Sequence, residues 1–400
     1  MTQSLFFWCL SLLNIALFSL AIIYSAQLLA ALPSLRAKIQ PSTAPRPKIA
    51  ILVPAHNEEA GLSASLTAIR AAMAVDDRLL VVADNCSDRT AIIAQTAGAE
   101  VLERNDTTRR GKGYALDAGV KYLSSCPPDI VVLIDADCFP SPDAIGFLAE
   151  ATVQTERPVQ ALYLMTNKAG AGLSLKIAEL AFMLKNRLRQ RGLNRLGIPC
   201  HLTGSGMAFR WEVISDLDLA HGHLVEDMKM GLDLAIAGSG PVFCEDAVVL
   251  SPFPDTVQGL STQRQRWIGG HFELISTALA GVARALRRGR IAAALSALST
   301  AIPPLTFLLP LLAIVLLMTA GFTWALKLGP LPLFIAAANL ALVCGTTLIA
   351  WVKYGRSILT PSDALRAVSI IGLQMIRSPQ MLLSAHRNGW VRTDRGQPGE

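Results

Sequence analysis

Charge is scarce in this 400-residue chain: 16% of residues are Asp, Glu, Lys or Arg against 52% hydrophobic, with a mean hydropathy of +0.42. Such a composition excludes a disordered protein and is too apolar for an ordinary soluble enzyme, so the excess must enter lipid. Cysteine is sparse and shows no pairing pattern. Cys9, Cys86, Cys126, Cys138, Cys200, Cys244 and Cys344 are scattered and odd in number, with no C-x-x-C pair, which excludes a disulfide framework and a zinc motif. No basic stripe interleaved with aromatics is present. The 36 Lys and Arg against 30 Asp and Glu, net +6, therefore suit basic flanks beside anionic lipid, with no nucleic-acid partner.

Residues 5–32 contain no Asp, Glu, Lys, Arg or His, and the run exceeds the ~20 residues that cross the hydrocarbon layer. It predicts a first transmembrane helix. A cleaved signal peptide would carry a basic start, and residues 1–7 hold no Lys or Arg. Arg36, Lys38, Arg46 and Lys48 follow, which by the positive-inside rule puts the next segment in the cytoplasm. Residues 302–326 and 331–352 read as two further spans, joined by a turn with Lys327, Gly329 and Pro330 and flanked by Arg284, Arg287, Arg288, Arg290, Lys353 and Arg356. No span carries a charge, which argues against a self-contained carrier. Residues 272–298 and 364–383 mix apolar and basic residues, the latter broken by Pro379, and are expected to lie on the membrane surface. The organisation predicted is a membrane helix in 1–35, a linker in 36–47, a catalytic domain in 48–270, interfacial helices in 271–300, a membrane hairpin in 301–353, and an interfacial helix with a cytosolic tail in 354–400.

Between the spans the pattern changes. Apolar runs at 49–53, 79–83 and 129–134 have the length of buried parallel strands, and helical stretches at 58–74, 88–97 (capped by Ser87) and 111–121 alternate with them. Strand and helix in alternation mean an α/β fold. Ligands of open parallel sheets bind beyond the carboxyl ends of strands, and the residues there are polar: His56, Asn57, Glu58 and Glu59 after the first run, Asp84, Asn85, Ser87 and Asp88 after the second, Asp135-Ala136-Asp137 after the third.

Asp and Asn at such positions also serve as turn formers and helix caps, but three clusters on one sheet edge suit a hard divalent cation and a diphosphate. Arg109-Arg110-Gly111-Lys112-Gly113 ahead of a helix implies either an anion site or a basic surface loop. Gly204-Ser205-Gly206 reads as a tight turn. Glu226-Asp227 opens a helical stretch, where a carboxylate is a cap or a catalytic group. Gln263, Arg266 and Trp267 share a helix side, with Arg suited to a diphosphate and Trp to a sugar ring, or both to the membrane interface.

In this order, Pro54-Ala55-His56-Asn57-Glu58, Asp84 with Asp88, Gly111-Lys112-Gly113, Asp135-Ala136-Asp137, Glu226-Asp227 and Gln263-x-x-Arg266-Trp267 resemble the membrane-embedded family 2 glycosyltransferases, among them cellulose, hyaluronan, chitin-oligosaccharide and poly-N-acetylglucosamine synthases, with ceramide glucosyltransferases nearby. The likeness covers residues 48–270 and the tail Trp390-Val391-Arg392-Thr393-Asp394-Arg395. It implies a GT-A, Rossmann-like cytosolic domain inserted between transmembrane helices of a multi-pass inner (plasma) membrane protein. It also implies inverting transfer from a nucleotide diphospho-sugar, a UDP-sugar above all, with Mg²⁺ or Mn²⁺, to a growing polysaccharide or a lipid.

By the same resemblance His56, Glu58, Asp84, Lys112, Asp135 and Arg266 bind the donor, Asp137 holds the metal, Gln263 and Trp267 meet the acceptor, and Glu226-Asp227 is the catalytic pair with Asp227 as general base. Val225 stands where the family usually has Thr, removing one hydroxyl. Three spans are few for an export channel, so a polymerase is expected to need interfacial helices, a homo-oligomer or an export partner. A nucleotidyltransferase, the competing soluble-type reading, would release pyrophosphate.

Overall fold

The computed structural model describes residues 2–33, 45–168, 170–221, 225–254 and 256–367. Most of the 364–383 segment, the tail motif at 390–395, and Arg36 and Lys38 lie outside them. The chain divides into two compact units. One holds residues 1–34, 169–198 and 272–384; the other holds 35–168, 199–271 and 385–400. Residues 169–198, which lie inside the 48–270 stretch, group with the apolar helices.

The second unit is built on a mixed eight-stranded sheet: β1 (Ile49–Ala55), β2 (Arg78–Asp84), β3 (Glu100–Arg104), β4 (Ile130–Leu133), β5 (Phe139–Pro140), β6 (Val159–Thr166), β7 (Met207–Arg210) and β8 (Val242–Pro252), in the order β3-β2-β1-β4-β7-β6-β8-β5. β1 pairs parallel with β2 and with β4, and β2 with β3, while β7 is antiparallel to both β4 and β6. Ile49, Ala50, Ile51, Leu52 and Val53 are all buried, as are all four residues of β4, because helices cover both faces of a parallel sheet. Leu52, Leu80, Val82, Leu116, Leu123, Val131, Leu133, Met207 and Phe209 form one side of the core. The strand order reverses between β1 and β4, the kind of position at which open α/β sheets bind ligands.

Several local readings shift. The helix expected from 58 starts at Leu62 (Leu62–Ala72), since Glu58 and Glu59 donate their backbone N–H groups across to Thr90 and Asp88. The helix Thr90–Thr96 begins after Arg89, and Asp88 Oδ1 accepts the Thr90 N–H at 3.0 Å; Ser87, expected as the cap, instead donates its N–H to Asn57 Oδ1. β3 escapes a search for apolar runs because it is a sheet edge, where Glu100, Glu103 and Arg104 replace apolar residues and protect against further pairing.

Among the described residues of the other unit, three helices are long and apolar enough to cross a membrane: Gln3–Ala31, Leu305–Ala325 and Leu331–Gly355. Ser11 and Ser19 of the first bond back to their own helix, whereas other polar residues join it to its neighbours. Asn14 Nδ2 donates to Thr319 Oγ1 (3.3 Å), Asn339 Nδ2 to the Asn14 carbonyl (3.0 Å), and Tyr24 and Ser25 meet Thr347 and Thr346. In hydrocarbon such bonds compensate for groups that water cannot reach. The first helix ends without intrahelical partners for its last carbonyls. Arg191 donates to Ala31 O (3.1 Å), Arg195 to Ala30 O (2.9 Å) and Pro33 O (2.7 Å), and Tyr354 and Lys353 to Leu32 O. Part of the basic excess thus closes a helix end, where cations also suit the macrodipole.

Residues 272–298 fall in two helices, Val257–Arg287, which starts before the predicted boundary at 270, and Ile291–Thr300.

Candidate active site

The carboxyl ends of β2, β1 and β4 carry the three polar clusters side by side. At the first two, the chain turns through Asn57 and Asn85, both in the left-handed region (φ +53° and +51°) that Asn tolerates better than most residues. His56 Nδ1 donates to the Asp84 carbonyl at 2.7 Å, which fixes the tautomer, since a carbonyl only accepts. The Asp84 carboxylate is 6% exposed and pairs with Arg104 at 2.6 Å; Arg104 also reaches Asp106 and the Arg109 carbonyl and lies over the Tyr114 ring. Asp106 organises the loop ahead of Lys112. Bonds from the Thr108 hydroxyl and the Arg109 and Thr108 backbone N–H groups outweigh its partial burial and hold its carboxyl well below the usual range.

Lys112 opens the helix Lys112–Leu123 and sits among carboxylates, not on a basic surface loop. Its Nζ is 2.5 Å from Asp135 Oδ1 and 3.9 Å from Glu226 Oε1, and it donates to the Gly204 carbonyl at 2.7 Å. Burial works against the ammonium charge, but attraction to Asp135 and Glu226 exceeds it, so Lys112 is held above the ordinary lysine value. Glu226 and Asp227 form the first turn of Glu226–Ala237. Burial, with repulsion from Asp227 and partly offset by Lys112, pushes the Glu226 carboxyl up to about 7.

Gly204 is where these groups converge. A Cβ built on it would lie 3.3 Å from Asp227 Oδ2, 3.8 Å from Lys112 Nζ and 3.9 Å from Asp135 Oδ2, and its φ of +95° favours glycine in any case. Ser205, fully buried, accepts the Asp135 N–H on its Oγ at 3.1 Å. The sequence showed only a tight turn here. Ser251 on β8 was also missed; its Oγ donates to Asp137 Oδ2 at 3.1 Å.

Asp135, Asp137 and Cys138 offer ligand atoms that all lie within 4.8 Å of one another. Burial, then the charges of Asp137 and Asp135, push the Cys138 thiol well above its usual value, so it stays protonated and is a poor ligand for a hard cation. The carboxylates suit Mg²⁺ or Mn²⁺. Asp135 is engaged by the Lys112 ammonium and Asp137 by a neutral hydroxyl, so Asp137 is the better placed to hold such an ion.

Of the residues picked from sequence, the structure brings Lys112, Asp135, Glu226 and Asp227 together and sets His56 against Asp84 on the adjacent strand ends. Glu58 lies two residues beyond His56, its backbone tied to Thr90. Gln263, Arg266 and Trp267 share the helix Val257–Arg287; Gln263 is buried, and Arg266 and Trp267 are half-buried. Arg266 has no ion-pair partner among the described residues, and no described bond links it to the Lys112 cluster.

A family model described as "Glycosyltransferase like family 2" matches residues 45–270. The chain belongs to glycosyltransferase family 2. This family 2 glycosyltransferase is 27% identical over 261 residues to the probable glycosyltransferase YdaM of Bacillus subtilis, covering 61% of this chain and 60% of that one. It is 26% identical over 241 residues to the probable glucomannan 4-beta-mannosyltransferase 10 of Arabidopsis thaliana, covering 56% and 43%. With the poly-beta-1,6-N-acetyl-D-glucosamine synthase of Staphylococcus aureus it shares 24% over 236 residues, covering 57% and 55%. The glycosyltransferase thus spans about half the length of the curated relatives it matches. Among solved structures, the mannosyltransferase PcManGT from Pyrobaculum calidifontis, in complex with GDP-Man and Mn²⁺, superposes with a TM-score of 0.53 at 18% identity, over 85% of this chain and 99% of that chain. The fold is GT-A-like.

Proposed function

We propose that this glycosyltransferase is a membrane-bound inverting enzyme that transfers a sugar from a nucleotide diphospho-sugar to a growing polysaccharide, with its catalytic unit on the cytoplasmic side. The convergence of Lys112, Asp135, Glu226 and Asp227 on Gly204, beside the ends of β1, β2 and β4, carries this reading. Departure of a nucleoside diphosphate builds negative charge on the leaving oxygens and positive character at the anomeric carbon. Lys112 and Arg266 are the cations to stabilise the former. Asp227 takes the proton of the acceptor hydroxyl as that oxygen attacks from the face opposite the diphosphate, and in-line attack inverts the centre. Burial raises the affinity of the neighbouring Glu226 carboxyl for protons.

Asp137 is the residue to hold Mg²⁺ or Mn²⁺, which when bound would neutralise diphosphate charge. His56, Glu58 and Asp84 line the strand ends where a nucleoside would lie, and Gln263 and Trp267 are the groups to meet the acceptor. Relatives named as polymer-forming enzymes favour a polysaccharide product. Three apolar helices among the described residues are few for an export path and favour a second reading, single-sugar transfer to a lipid. Membranes containing the chain, incubated with radiolabelled UDP- and GDP-sugars and Mg²⁺ or Mn²⁺, decide between them: label in high-mass polymer supports the first, label in extractable lipid the second, and no transfer overturns both.

A further inference from the structure

Gln160 on β6 is 1% exposed, yet it is polar. A buried carboxamide is costly unless bonded, and this one is fully occupied by backbone. Oε1 accepts the Thr203 N–H at 2.8 Å; Nε2 donates to the carbonyls of Ser205 and Ala161, each at 2.9 Å. The bonds to Thr203 and Ser205 fall on either side of Gly204. That glycine, with φ +95°, is the residue whose peptide would otherwise turn most easily, and its carbonyl is the one that Lys112 grips at 2.7 Å.

Downstream the loop is pinned as well: Gly206 donates its N–H to the Leu133 carbonyl at 2.9 Å, and a Cβ there would lie 2.6 Å from the Ala161 Cβ. An amide of this length accepts on one side of Gly204 and donates on the other at any pH, which a carboxyl does only when protonated. Leu or Met would fill the volume and leave the loop's backbone groups unsatisfied.

We propose that Gln160 is a positioning residue for sugar transfer: by clamping both sides of Gly204 it sets the carbonyl that holds Lys112 and the Ser205 hydroxyl that holds Asp135. The proposal rests on the reading of this cluster as the transfer site. It acts without touching donor or acceptor, so its loss changes turnover more than donor binding.

The test uses the full chain in membranes, with UDP-glucose, UDP-N-acetylglucosamine and GDP-mannose as parallel donors, and kcat, donor KM and unfolding temperature measured for each variant. In Gln160→Met, kcat falls about 100-fold, the cost of a ~1 Å misplacement, while donor KM moves by less than about threefold. Gln160→Glu behaves differently: its acid form can donate to the Ser205 carbonyl and its carboxylate cannot, so its turnover relative to wild type rises as pH falls, whereas the Gln160→Met ratio stays flat. Wild-type kcat in folded Gln160→Met, or a loss that merely tracks the unfolded fraction, overturns the proposal. Should Gln160→Met fail to fold, a flat pH ratio for Gln160→Glu overturns it instead. Asp227→Asn in the same assay separates the two ideas. If Asp227→Asn turns over normally, the reading of the site is wrong; if it is inactive while Gln160→Met is normal, only the role of Gln160 is lost.

Discussion

The Ser251 hydroxyl donates to Oδ2 of Asp137 at 3.1 Å, tying β8 to the carboxylate best placed for a cation. A hydrogen bond to a ligating carboxylate orients it, and losing such a partner typically costs 10 to 100-fold in metal affinity. Ser251→Ala should raise the Mn²⁺ concentration for half-maximal transfer by about 10-fold, and Asp137→Ala should remove metal-dependent donor binding. Mn²⁺ titration followed by electron paramagnetic resonance reads both. An unchanged metal requirement in Asp137→Ala removes it from the site.

Asp227→Asn keeps the shape of the side chain and abolishes its basicity. Transfer should drop by about 1,000-fold, within the range for general-base loss, while UDP binding measured by calorimetry stays near wild type. Equal losses of binding and turnover would make Asp227 a donor contact.

The Glu226 carboxyl is raised from 4.5 to about 7, so between those values the folded chain holds a proton that the unfolded chain has released. Its stability contribution is therefore largest below pH 4.5 and declines as pH rises towards 7 and just beyond. Compared with Glu226→Gln, wild type should lose on the order of 3 kcal/mol across that window, read as diverging unfolding temperatures. Parallel curves would mean that the carboxyl is not buried as described.

Lys112→Met removes the cation between Asp135 and Glu226. With both partners less than one-third exposed, the loss should approach about 3 kcal/mol of stability, near the low end for broken buried pairs. Turnover should fall at least about 100-fold. A stable, active Lys112→Met would leave the cluster without its proposed electrostatic role.

The central strands were legible because burial on both faces forces unbroken apolar runs such as 49–53 and 130–134, and the residues ending them are polar because they leave the core. Edge strand β3 was hidden by the charges that protect it. Lys112 could be recognised as a cation beside glycines, but its carbonyl partner Gly204 is 92 residues away, and local spacing carries no signal of that pairing. Gln160 is a single polar residue amid apolar neighbours, and Ser205 a lone serine between two glycines. Only the sheet order, which lays β6 beside β7 and β7 beside β4, explains why they are there.

The first apolar helix is closed by Arg191, Arg195, Lys353 and Tyr354, residues 160 to 322 positions later in the chain. Under the membrane placement proposed above, it would enter the bilayer during synthesis with its final carbonyls still turned to water and lipid headgroups. They acquire protein donors only as the later segments emerge. Biogenesis would then proceed in two stages, insertion first and closure of that helix end much later, and a chain cut short before residue 351 would reach the membrane without completing the second.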